Sequence, residues 1–157
     1  MKSNCVRAFI FGILCVLMAC GSRATLAAPA DPCSLLTPAQ VSAALGANVE
    51  PGKRIVSTIC EWKPAGSANS KTVKLDVTIL TPRAFEMTKT LVGGGITKTP
   101  VSGVGDEAVS GTTPNLATVL TVKKGDFVFS VHVFPFSDGD EIKAKEKTLA
   151  LQILAKL

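Results

Sequence analysis

Tyrosine is absent from this chain, and tryptophan and histidine occur once each, as Trp62 and His132. Aromatic residues make up only 5% of the sequence, too few for the stacking platform of a single-strand nucleic-acid binder. A single histidine excludes sites that need two imidazoles and leaves structural zinc short of its usual four ligands. A strong charge of one sign is also lacking. Lys2, Arg7 and Arg23 fall in or beside an N-terminal leader, so the 17 basic side chains drop to 14 against 12 acidic ones. No basic stripe remains, and no nucleic-acid partner is expected. No apolar run is long enough to stay in a membrane: the longest, Ala8 to Ala19, has about 12 residues where about 20 are needed.

What is present first is an export pattern. Lys2 and Arg7 precede the apolar run, the order of a signal peptide. Two processing routes are open. Leu17-Met18-Ala19-Cys20, followed by Gly21 and Ser22, resembles a bacterial lipobox, which implies lipid on Cys20 and a membrane tether. The small residues around Ala27 and Ala30 instead fit ordinary signal cleavage. The expected organisation is a leader over 1–30 and one domain over 31–157, placed in the periplasm or cell envelope, lipid-anchored or soluble.

Of five cysteines, Cys5 and Cys15 leave with the leader, and Cys20 is lipidated or removed. Cys33 and Cys60 remain. Cys33 precedes a helix start, where a thiol can serve as nucleophile or metal ligand. In an oxidising compartment, with no second cysteine pair and no positioned base, a Cys33–Cys60 disulfide is expected instead. It would close a loop of about 28 residues, worth ~3.5 kcal/mol in chain entropy.

The remaining pattern mixes helix and strand. Thr37, Pro38 and Gln40 form a capping box, Leu36 and Val41 a hydrophobic staple, and Gly46 a helix stop. The stretch 55–62 reads as one strand with Cys60 and Trp62 on one face and Ile59 and Glu61 on the other. In 72–80, Val73, Leu75, Val77 and Ile79 alternate with polar residues, the signature of a half-buried strand. A helix is expected over 81–92, stopped by Gly93, Gly94 and Gly95. Short strands are expected near 98–101 and 107–109. A hairpin follows, with arms 116–122 and 127–134 and a turn at 123–126. A closing helix over 139–157 carries Ile142, Leu149, Ile153 and Leu157 on its apolar side and Lys143, Lys147 and Lys156 on its wet side. The fold class is therefore α+β: an antiparallel sheet of five to six strands with three helices packed on it and one disulfide.

Three pieces in order, Asp31-Pro-Cys-Ser-Leu-Leu-Thr37, Cys60-Glu-Trp62 and Val104-Gly-Asp-Glu-Ala108, resemble small exported bacterial lipoprotein-like domains of uncharacterised function. The resemblance implies a disulfide-tied α+β domain outside the cytoplasm and brings no catalytic residues. The layout is also similar to the PsbP-like sandwich, an analogy of fold that carries no function by itself.

No catalytic set, cofactor or metal site is legible. Asp106 and Glu107 are adjacent and point to opposite faces of an extended chain, unlike a working carboxylate pair. Gly93 to Thr99 lacks the spacing of a phosphate loop. The acids from Ser137 to Glu141 suit helix capping better than calcium. The expected function is a non-enzymatic binding or accessory domain of the cell envelope. Its glycine-rich stretch, with Gly93, Gly94, Gly95, Gly103 and Gly105, is a possible binding loop. That loop would contact an envelope protein or line a groove for a small apolar ligand between sheet and helix. The alternatives are an envelope enzyme using His132 with Asp106 and Glu107, or a structural part of an envelope assembly.

Overall fold

A computed structural model of the chain describes residues 31–66, 74–91, 95–113, 117–134 and 139–157. The stretch 1–30 expected to be a leader, with Cys20, lies outside the described residues, as do Gly93, Gly94, Ser137 and Asp138. A 3-10 turn over Pro32–Ser34 opens the described chain, with the Asp31 carboxylate accepting from the Cys33 N–H. Helix α1, Pro38–Leu45, begins as its sequence dictates. The Gln40 N–H donates to Thr37 Oγ1 at 3.3 Å, and the Thr37 N–H donates to Gln40 Oε1 at 2.9 Å. Gly46 ends it at φ 73°, a left-handed conformation that glycine adopts without steric cost. Leu36 and Val41 are both buried, as a staple requires.

Seven strands form one antiparallel sheet: β1 Lys53–Val56, β2 Ile59–Trp62, β3 Lys74–Leu80, β4 Thr97–Pro100, β5 Glu107–Thr113, β6 Ala117–Lys124 and β7 Phe127–Phe134. Their spatial order is β1-β2-β3-β7-β6-β5-β4. The α+β class stands, with more strands than the five to six expected. The stretch 55–62, read as one strand, is a hairpin whose chain reverses at Ser57 and Thr58, and Val56 pairs with Ile59. No Gly, Pro, Asn or Asp marks that reversal, so the run of apolar and β-branched residues hides it. The later hairpin turns on Gly125 and Asp126, because Lys124 pairs directly with Phe127.

One sheet face carries the main core. Cys60, Trp62, Leu75, Val77, Phe129, Val131 and Val133 are buried there against Val41 and Leu45 of α1 and Ile142, Leu149 and Ile153 of α3, Gly139–Leu154. Each such side chain contributes roughly 1.5–3 kcal/mol on burial. The third helix, α2, Pro82–Thr90, lies on the opposite face. Its Phe85 packs on Val109 and Val128 in a second, smaller cluster. Val128 and Val109 point away from the main core because successive strand residues alternate faces. Two helices thus cover one face and one helix the other.

A lateral brace completes the main core. Cys33 and Cys60 are disulfide-bonded with Cα atoms 5.1 Å apart. The bond pins the segment that leads into α1 to the second strand of the sheet. It answers the question raised by a cysteine beside a helix start: Cys33 is neither a free thiolate nor a ligand.

A cup beside a buried carboxyl

Helix α3 crosses β6 and β7 and leaves a gap toward the short edge strand β4. The gap is a cup of about 260 Å³. Ser110 of β5 and Leu120 of β6 form its floor, Thr99 and Val101 one wall, and Lys143, Ala144, Glu146 and Lys147 the helix side. The surfaces turned to it are almost wholly carbon. The cup exists because the residues facing it are small where a core layer would be bulky: Thr99, Ser110 and Ala144. Strand β4 has only 4 residues and stands at the edge of the sheet.

Glu146 lies in the middle of the apolar stripe of α3, four residues after Ile142 and three before Leu149, and is fully buried. Its place in the sheet explains how it is tolerated. The β6–β7 ladder runs from Lys124↔Phe127 to Leu120↔Val131 and stops, although β7 continues to Phe134. Beyond the stop, the Val133 N–H donates to Glu146 Oε1 at 3.3 Å. The side chain thus accepts a bond that a neighbouring strand carbonyl would otherwise take.

The second oxygen is different. Glu146 Oε2, Ser110 Oγ and Thr118 Oγ1 are buried with no hydrogen-bond partner among the described residues. Burial pushes the Glu146 pKa up to about 7. The Val133 N–H and the charge of Lys143 oppose that shift. A carboxyl with this pKa could exchange a proton near neutrality. Its second oxygen is buried, so the arrangement sets a carbon-lined hollow beside a protonatable carboxyl.

The sequence-predicted residues fall elsewhere. A strand, β4, interrupts the glycine-rich stretch, and its contribution to the cup comes from Thr99 and Val101 rather than from glycines. Gly95 and Gly103 are exposed and adopt φ of 73° and 74°. Gly105, at φ 63°, packs on β6, where a Cβ would stand 2.5 Å from the Lys123 carbonyl oxygen. Asp106 braces the β6–β7 turn: its carboxylate accepts from Lys124 Nζ at 2.7 Å and from the Gly125 N–H at 2.8 Å. Those contacts hold its pKa below the usual carboxylate range. Glu107 pairs with Lys89 of α2 at 2.9 Å.

His132 is not brought near either acid. It lies five residues along β7 from the turn that Asp106 braces, roughly 17 Å at the rise of a strand. There it pairs in register with Asp76, and its ring meets that of Phe134 at a tilt of 38° with centroids 3.8 Å apart. Among the described residues no three His, Cys, Asp or Glu side chains group as metal ligands, and no helix is long and apolar enough to cross a membrane.

Sequence reasoning missed Glu146. The signal was available: one acid at the centre of a stripe otherwise made of Ile142, Leu149, Ala150 and Ile153. A search restricted to motifs does not look for a charge out of phase with a helix. No protein-family model, curated protein or solved structure matches this chain.

Proposed function

We propose that this chain is an exported, non-enzymatic binding or accessory domain of the cell envelope that holds a small apolar molecule in the cup between α3 and strands β4–β6. The observation that carries the reading is the carbon-lined hollow itself, roofed by a helix and floored by the sheet. Apolar concavities edged by a few polar groups are the usual form of ligand sites. Export is supported by the leader pattern and by the Cys33–Cys60 bond, which suits an oxidising compartment.

Octan-1-ol titrated into the 15N-labelled domain tests the binding reading. Saturable shifts are expected at Val101, Leu120 and Ala144. Ala144→Trp, a change at an exposed position on the rim, fills the cup and abolishes them. Absence of saturable shifts up to the solubility of the alcohol refutes it. Cell fractionation tests the address: intact precursor recovered from the cytosol refutes export.

A further inference from the structure

Two lysines stand on the helix side of the cup. Lys143 and Lys147 are one turn apart on α3, so their side chains emerge side by side. Lys147 makes no ion pair among the described residues; its Nζ donates to the Ser102 carbonyl at 3.3 Å. Lys143 is 3.4 Å from the Asp140 carboxylate, whose side chain is 94% exposed. Such a contact is worth little in water. Each ammonium has three donors, so both retain capacity for a further acceptor. Their aliphatic stems extend the carbon wall outward and their charges stop at its edge. The side of the cup facing α3 is formed by Thr99, Val101, Ser110 and Leu120, none of them titratable.

We propose that the cup takes an amphiphile with an anionic head, its apolar body inside the hollow and its carboxylate or equivalent between Lys143 and Lys147. The inference rests on the cup being a binding site. A cationic head would meet two ammoniums at the mouth. A neutral head would leave their donors to water. The hollow also sets the size of the body. Its 260 Å³ equals the liquid share of roughly nine water molecules, or about nine or ten non-hydrogen atoms. A chain of octanoate length fits. The buried Glu146 lies on the helix side of the same hollow, and its ionisation opposes an anion bound there.

Octanoate, octan-1-ol and octylamine compared by NMR titration at low salt separate the possibilities. Octanoate is expected to bind at least about five-fold more tightly than the alcohol, a charge-assisted margin. Octylamine is expected to bind more weakly than both. Lys143→Gln with Lys147→Gln, both away from the core, should erase the octanoate advantage, read as the ratio of octanoate to octan-1-ol affinity within the variant. Raising the pH from about 6 to about 8 should weaken octanoate binding, and Glu146→Gln should flatten that change. If octan-1-ol binds as tightly as octanoate, or the double variant keeps the preference, the anionic head is refuted while the apolar cup stands. If none of the three binds saturably, the cup reading falls with it.

Discussion

The backbone N–H of Val133 on β7 donates to the side chain of Glu146 on α3, 3.3 Å away, just past the point where β7 stops pairing with β6. A helix side chain closes an opening in the sheet, and in doing so a carboxyl is carried into the core. Its pKa of about 7, against 4.5 unperturbed, links the fold to pH. Below about pH 4.5 the carboxyl is protonated in folded and unfolded chains alike, with no penalty. Between about 4.5 and 7 the unfolded chain releases the proton and the folded one keeps it, so stability falls. Above about 7 the full cost is present, on the order of 3 kcal/mol.

Glu146→Gln keeps the acceptor for Val133 and removes the titration. Urea denaturation should show the variant close to the wild type near pH 4 and more stable by about 1–3 kcal/mol near pH 8. Equal stabilities at both pH values would mean that the carboxyl is hydrated in solution.

Reduction of the Cys33–Cys60 bond should lower stability by about 3 kcal/mol, since it frees a loop whose ends are 27 positions apart. Thermal melts with and without reductant measure this. Thiol labelling of the native oxidised domain should find neither sulfur. A stoichiometric thiol at Cys33 would contradict the bond.

Gly103 and Gly105 have similar backbone angles and different surroundings. A Cβ at Gly103 meets open space, and one at Gly105 meets the Lys123 carbonyl at 2.5 Å and Val122 Cγ1 at 2.8 Å. Gly103→Ala should cost about 1 kcal/mol from its positive φ alone. Gly105→Ala should cost on the order of 3 kcal/mol, because backbone on backbone cannot yield. Denaturant midpoints of the two variants check the ranking.

Asp106 supports the β6–β7 turn only when ionised. Because the Lys124 ammonium and the Gly125 N–H hold its pKa below 3.8, its contribution is present above that value and lost as pH falls through the folded one. Asp106→Asn should therefore speed amide exchange around Gly125 at neutral pH and leave exchange at pH near 3 closer to that of the wild type. A neutral-pH exchange pattern unchanged by the substitution would remove the brace.

Local structure was readable wherever the signal is itself local. The Thr37–Gln40 box, the Gly46 stop and the alternation from Leu75 to Ile79 are each decided by residues within a turn or a strand of one another. The Ser57–Thr58 reversal escaped because ordinary residues make it and its support comes from pairing: the Thr58 carbonyl accepts from the Ile79 N–H on β3 at 2.8 Å. Asp106, just ahead of β5, and Glu107, its first residue, point apart, one to the turn and one to α2.

The cup depended on distances no local pattern encodes. Thr99, Ser110, Leu120 and Ala144 come from four elements, and the hollow among them is set by where α3 ends its reach across the sheet. The sequence alone determined the class of fold, the pairing of Cys33 with Cys60 and the ends of α1, because capping, alternation and cysteine count act over short range or by elimination. Only the tertiary structure decided that α2 packs on the face away from α1 and α3, that the β6–β7 ladder stops early, and that Glu146 fills the opening. Those outcomes follow from competition between whole surfaces for burial, which a residue's neighbours in the chain do not reveal.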